Sequence, residues 1–335
     1  MSYIGIIGSK VSVAGDLISR MPPEAFGDRY IELFAGGAGV YFVKDPARRN
    51  ILIELDPDFA TAHQAVREQP ADVSRELRLL LDDSSTFERI RALRETDEWD
   101  TLPTARRAAY LIYILKQSVN SNQQALASSA KTNSSFNPEM SLDSFSSKLQ
   151  HAQIRNFSYS KAVDTYLYRS TPVEAFVFAD PPYVVSDKAM HYRFNFHPVE
   201  HLRFWHKMTR LSKDNGAERN VKIMITYDDD PLIRALYRQS DGWRIEPLTI
   251  RYSSAHDPDR CRNEIVITNY VPPPSQIETD EAVDWSDVPE GASIDEVPFA
   301  ELCCCDREYL ALFSKGRRRS KCRVCGKSIT NKGGR

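Results

Sequence analysis

Apolar residues near the start of the chain come in short runs separated by turn formers: Tyr3 to Ile7, Tyr30 to Phe34 ahead of a glycine cluster, and Asn50 to Leu55 ahead of Asp56-Pro57. Short apolar runs bounded by Gly, Pro and Asp predict strands. Ala60 to Arg67 carries its apolar positions at helical intervals, so strands and helices alternate, the βαβ arrangement of a parallel α/β sheet. From about residue 70 to residue 149 the texture changes. Val73 to Leu81 and Ala105 to Leu115 have helical spacing and no strand-like alternation, which predicts a mostly helical insertion. Its later part, Ser118 to Ser135, is rich in Ser, Asn, Gln and Ala and reads as a polar loop. Ala175 to Ala179 is wholly apolar, as expected of a central parallel strand buried on both faces. Further strands are expected at Val221 to Thr226 and Glu264 to Thr268, before Val271-Pro272-Pro273-Pro274 breaks regular structure. The fold class is therefore α/β, with one globular unit over residues 1–271.

Composition excludes some classes. With 335 residues, 41 % hydrophobic and 27 % charged, the chain has the make-up of a soluble globular protein. No apolar run approaches the roughly 18 residues of a membrane span, and the N-terminus lacks the basic start and long apolar stretch of a signal peptide. A cytoplasmic location without membrane contact follows as the expectation. The formal net charge of −2 conceals an asymmetry: residues 272–301 hold nine carboxylates and no Lys or Arg, whereas Lys315 to Lys327 is basic without an acid. An acidic linker thus leads into a basic tail over residues 302–335.

Candidate chemistry begins where the strand at Tyr30 runs into Phe34-Ala35-Gly36-Gly37-Ala38-Gly39. Glycines there let backbone approach a ligand beyond the strand's carboxyl end, although a tight turn without a ligand would look the same. The next strand ends at Glu54, with Asp56 two positions on. An acid at that point of a nucleoside-binding sheet can accept both ribose hydroxyls, and Asp56 before Pro57 also suits a helix cap. Asp180-Pro181-Pro182-Tyr183 follows the buried strand directly. Its carboxylate can accept from an amino group, the prolines stiffen the turn and free a backbone carbonyl, and Tyr183 offers a face on which a base can stack.

These motifs, in this order, resemble the Dam-like (D12 class) DNA adenine-N6 methyltransferases, which carry a target-recognition region between the cofactor half and the catalytic motif. Glu32-x-Phe34-x-Gly36-Gly37-x-Gly39 resembles the family's cofactor loop, Phe136-Asn137-Pro138 its Phe-Asn-x-Pro element, and Asp180 to Tyr183 its catalytic motif. Val163-Asp164 resembles the short motif whose acid reaches the cofactor's adenine, and Ile223 to Tyr227 and Arg262 to Tyr270 resemble the closing strands. The resemblance implies a Rossmann-like sheet, S-adenosylmethionine as cofactor, double-stranded DNA as partner and a monomeric enzyme. Implied cofactor contacts are Lys10, Phe34, Gly36, Gly37, Gly39, Glu54, Asp56 and Asp164, and implied catalytic residues are Asp180, Pro181, Pro182 and Tyr183. The chain departs from the family in having Gly8-Ser9-Lys10 for Gly-Gly-Lys and Ile53-Glu54 for Asn-Asp. Alternatives are an inactive DNA-binding relative, or transfer to RNA or to the amino group of cytosine.

Lys116, Asn120, Asn122 and Lys131 in the helical segment, with Arg193 after the catalytic loop, are the expected DNA contacts. Cys322-x-x-Cys325-Gly326 has the form of a zinc knuckle, and Cys303-Cys304-Cys305 supplies further thiolates upstream. Four of these sulfurs, taken as Cys303, Cys305, Cys322 and Cys325, can close a tetrahedral zinc site that folds a tail with almost no apolar core. The basic stretch between the halves, with Arg317, Arg318 and Arg319, suits phosphate contact.

Overall fold

The computed structural model describes residues 3–4, 10–118, 137–168, 173–184, 196–251 and 261–273. In chain order the elements are α1 (Ala14–Ser19), β1 (Arg29–Glu32), α2 (Gly39–Val43), β2 (Arg49–Glu54), α3 (Pro57–Glu68), α4 (Pro70–Arg78), α5 (Ser84–Arg94), α6 (Glu98–Thr101), α7 (Thr104–Gln117) and α8 (Asp143–Leu149). There follow β3 (Ala152–Asn156), α9 (Tyr159–Val163), a π-helical turn Asp164–Tyr168, β4 (Val173–Ala179), α10 (Pro198–Lys213), β5 (Arg219–Asp228), α11 (Pro231–Leu236), β6 (Arg244–Arg251) and β7 (Cys261–Thr268). The strands form one sheet in the order β3-β2-β1-β4-β5-β7-β6, parallel except for β7, which runs against both neighbours.

Alternation along the strands divides the interior in two. Tyr30, Leu52, Phe176, Phe178, Met224 and Val266 point to one face and pack with α3, α4, α5, α7 and α8. Ile31, Ile51, Ile53, Val177, Ile223, Ile225 and Ile267 point to the other, against the α9–π-turn segment, α10 and α11. Both faces are covered, so the central strands are apolar throughout, as parallel strands between two helix layers must be. The segment expected as a helical insertion contributes to the first layer. Tyr110 to Leu115 of α7 are all buried, packed in the same core as the sheet residues and not in a separate one.

A buried joint fastens helices of this layer, all in the connection from β2 to β3, to one another. Asp58, on the first turn of α3, accepts from Arg94 Nε of α5 at 2.9 Å and from Trp99 Nε1 of α6 at 2.7 Å. Three sequence expectations change. Tyr3 and Ile4 form a bend and not a strand, while the rest of that apolar run lies outside the described residues. β3 and β6 are additional strands at the two edges of the sheet. Edge position explains both: only Ala152 and Ile154 of β3 are buried, and Pro247 sits in β6, where a missing N–H is tolerated.

Candidate active site

The strand order reverses between β1 and β4, and α/β sheets bind ligands in the crevice outside the carboxyl ends at that switch point. β1 and β4 are held together there by the Leu33 N–H, which donates to the Phe178 carbonyl at 2.9 Å. β1 leads into Phe34 to Gly39, and β4 leads into Asp180 to Tyr183, so tertiary structure brings two motifs some 140 positions apart to one edge.

The glycine turn is a true left-handed turn. Gly36 has φ 45°, which glycine adopts freely, and Ala38 has φ 49°, which a residue with a Cβ adopts only at a cost of roughly 1–2 kcal/mol. The turn is supported from three sides. The Ala35 N–H donates to the Ile53 carbonyl at 2.9 Å, and the Gly36 N–H donates to Glu54 Oε2 at 2.7 Å. From below, His63 of α3 reaches the Gly36 carbonyl with Nε2 at 2.7 Å, while its Nδ1 meets the Tyr3 hydroxyl at 2.6 Å. A tyrosine hydroxyl donating to Nδ1 leaves the ring proton on Nε2, where it can donate to Gly36. Burial holds the His63 pKa down to about 4, so the ring is neutral near pH 7.

Glu54 and Asp56 separate into distinct roles. Glu54 is half-buried at the end of β2, and its Oε1 accepts from the Asp56 N–H at 2.8 Å. Burial pushes its carboxyl up to about 7, opposed by the backbone hydrogen bonds from Asp56 and Gly36. Asp56 is buried and caps α3 by accepting from the Asp58 N–H at 2.9 Å, with Arg94 3.8 Å away. Glu32, at the carboxyl end of β1, is also buried. Desolvation raises its pKa to about 8, with Asp180 adding to the rise and the Tyr30 hydroxyl, which donates to it at 2.7 Å, opposing it. A carboxyl in that position is largely protonated near pH 7.

Across the crevice, Asp180 is partly exposed, with its side chain 22 % accessible. Thr226 Oγ1 of β5 donates to Asp180 Oδ1 at 2.7 Å, and the Lys10 ammonium lies 2.9 Å from the carboxylate. Pro181 is buried, whereas Pro182 and Tyr183 are half-buried. Lys10 sits 4.9 Å from the Tyr183 ring centroid and 3.5 Å from Glu264 of β7. Phe34 is half-buried in an aromatic wall with Tyr159, Phe196 and Phe204, at ring-centroid distances of 5.6, 5.5 and 5.5 Å.

Asp164 opens the π turn and faces α10, where Lys207 Nζ binds it at 2.8 Å. Together they line a groove of about 670 Å³ between the α9–π-turn segment and α10. Lys116 is half-buried on the last turn of α7, and burial lowers its pKa. Asn120, Asn122, Lys131, Phe136, Arg193, Arg317 to Arg319 and Cys303, Cys305, Cys322 and Cys325 fall outside the described residues. Among the described residues no group of three or more His, Cys, Asp or Glu side chains could hold a metal ion, and no helix is long and apolar enough to cross a membrane. Sequence reasoning missed the roles of His63, Thr226 and Glu264; Thr226 and Glu264 stand in stretches already singled out, Ile223 to Tyr227 and Arg262 to Tyr270.

The sequence profile described as D12 class N6 adenine-specific DNA methyltransferase matches residues 7–249, which spans both the glycine turn and the Asp180 motif. Among curated proteins no relative matches the chain.

Proposed function

The chain belongs to the D12 class of N6 adenine-specific DNA methyltransferases, and from that premise we propose that it transfers a methyl group from S-adenosylmethionine to the amino nitrogen of an adenine flipped out of a specific DNA site. The observation that carries this reading is the juxtaposition at the switch point: Asp180 stands beyond β4 while the Gly36 turn, tied to Glu54, stands beyond the adjacent β1 and β2.

The donor set fits the cofactor. A left-handed glycine turn admits close backbone approach, and Glu54, which uses its oxygens on two N–H groups, keeps lone pairs for the hydroxyls of a ribose. Phe34 supplies an apolar wall, and Gly37 and Gly39 keep the turn free of side chains. Asp56 acts here through the helix it caps. When bound, S-adenosylmethionine supplies a methyl carbon on a sulfonium, whose carbon–sulfur electron pair stays with sulfur as the new nitrogen–carbon bond forms.

The residues at the other side handle the acceptor. Adenine's amino nitrogen has its lone pair drawn into the ring and is a poor nucleophile. Hydrogen bonds from its two N–H groups to the Asp180 carboxylate and the Pro181 carbonyl favour the tetrahedral nitrogen of the transition state and stabilise the positive charge that builds on it. Tyr183 stacks on the base, an interaction worth about 1–3 kcal/mol, which offsets part of the few kcal/mol needed to unstack it. Thr226 fixes the Asp180 carboxylate by its hydrogen bond, so catalysis comes from positioning and electrostatics. The surplus proton leaves the nitrogen after transfer.

Lys116, Asn120, Asn122, Lys131 and Arg193 are proposed to contact the duplex, and Arg317, Arg318 and Arg319 to add non-specific affinity. Cys303, Cys305, Cys322 and Cys325 are proposed to hold a structural zinc. The test is transfer of labelled methyl from S-adenosylmethionine to unmethylated duplex DNA, with digestion to nucleosides. N6-methyladenine from the wild type and none from Asp180→Ala is the expected result. Label in cytosine or only in RNA would overturn the substrate, and no transfer despite cofactor binding would overturn the activity.

A further inference from the structure

Glu264 is an acid that the catalytic motif does not contain, yet it lies in the same cluster. β7 is antiparallel to β5, and its register pairs Glu264 with Asp228 at the carboxyl end of β5. Reversal of the strand thus places a residue from the amino half of β7 at the edge where Asp180 stands. The Glu264 side chain is fully buried, accepts from the Tyr183 hydroxyl at 2.5 Å and lies 3.5 Å from the Lys10 ammonium. The Tyr183 hydroxyl is 3.3 Å from Asp180 Oδ1, so the tyrosine proton is shared unequally and belongs chiefly to Glu264. Lys10 is itself buried and divides its ammonium between two carboxylates, at 2.9 Å from Asp180 and 3.5 Å from Glu264.

A buried carboxylate is expensive unless charge and hydrogen bonds compensate it. Here two of the compensating groups, Lys10 and Tyr183, also touch the proposed adenine site. We propose that Glu264 is a positioning residue for methyl transfer, which fixes the Tyr183 ring through its hydroxyl and offers Lys10 a second carboxylate when Asp180 takes up the adenine amino group. The inference rests on the adenine-transfer reading above. The geometry supports it. Asp180 accepts less well from an amino group while it also holds the ammonium, and Glu264, among the described residues, is near enough to take that ammonium over a shift of less than an ångström.

Glu264→Gln keeps the volume and an acceptor for Tyr183 but removes the charge that holds Lys10. The closing experiment measures methyl transfer by wild type, Glu264→Gln, Tyr183→Phe and the double variant on an oligonucleotide duplex carrying the site found by methylation sequencing. Melting temperature, cofactor affinity by calorimetry and, without cofactor, the fluorescence of 2-aminopurine at the target position are measured alongside. Glu264→Gln is expected to lower kcat about tenfold with melting, cofactor affinity and KM for DNA near wild type, and to be non-additive with Tyr183→Phe. It should also alter 2-aminopurine quenching, which reports stacking without any turnover. A kcat within twofold of wild type with unaltered quenching would overturn the proposal, as would strict additivity. So would melting, cofactor affinity and kcat falling together, the mark of a merely structural role. Should Glu264→Gln fail to fold, Tyr183→Phe alone decides: loss of the hydroxyl must lower kcat at constant cofactor affinity. A wild type that transfers no methyl to adenine would instead overturn the reading on which the inference stands.

Discussion

His63 offers a direct measure of how the glycine turn is held. Its ring is buried without access to solvent, its Nδ1 accepts from the Tyr3 hydroxyl at 2.6 Å, and its Nε2 donates to the Gly36 carbonyl at 2.7 Å. His63→Phe keeps an aromatic ring in the edge-on contact with Tyr3 but removes both nitrogens. The buried Tyr3 hydroxyl then loses its partner at about 1–3 kcal/mol and the half-buried Gly36 carbonyl loses its own at about 1 kcal/mol, so unfolding free energy near pH 7 should fall by roughly 2–4 kcal/mol. For a chain of this size that is a fall in Tm of about 3–6 °C.

The pH dependence gives an independent check. The folded pKa of about 4 lies below the ordinary histidine value of 6.5 because burial disfavours the charged ring. In such a case the unfolded chain binds the extra proton first. The stability contribution is therefore complete above pH 6.5 and is lost as pH falls towards 4, by about 3 kcal/mol in total. Glu32, Glu54 and His201 titrate in wild type and variant alike, so the difference between the two isolates His63. Chemical denaturation of both proteins at several pH values from 7.5 down to 4.5 should show the wild-type advantage shrinking steadily. An advantage independent of pH, or one smaller than about 0.5 kcal/mol at pH 7, would refute the hydrogen-bonded neutral histidine.

Glu54 should make cofactor binding depend on pH. Its carboxyl is pushed up to about 7, and the ionised form accepts ribose hydroxyls, so affinity for S-adenosylmethionine should weaken about tenfold from pH 8 to pH 6. Calorimetry should find Glu54→Gln weaker at pH 8 and nearly flat across that range. Asp58→Ala removes an acceptor from half-buried Arg94, which keeps Asp56 at 3.8 Å, and from buried Trp99, a loss of about 3 kcal/mol; Asp58→Asn, which keeps an acceptor for Trp99, should cost about half as much, with limited proteolysis reporting release of α5 and α6. The purified full chain should contain zinc by elemental analysis, Cys322→Ser should lose it, and chelation should lower affinity for DNA at low salt more than it lowers kcat.

What the residue pattern determined by itself was the central sheet and the motifs on it. Ala175 to Ala179 reads as a buried strand because the run is short, wholly apolar and stops abruptly at Asp180-Pro181-Pro182, and Asp180 is then forced to the carboxyl edge. The same local logic marks β1 with its glycine turn, β2 with Glu54, and the cap at Asp56, since strand ends, left-handed turns and helix caps depend on neighbours in sequence. Edge strands β3 and β6 escaped it, because half-covered strands bury too few side chains to write a period into the chain.

Tertiary structure alone decided which distant groups meet. Nothing local to α3 shows that His63 supports Gly36, since the contact needs the helix to cross back beneath β1. Asp164 reads from its motif as a cofactor contact, and the fold adds a partner that the motif does not reveal, Lys207 of α10. Glu264 was legible as part of a strand. Its place beside Lys10 and Tyr183 follows only from the antiparallel insertion of β7 next to β5, because strand direction, which no single strand encodes, determines the edge at which its first residues emerge.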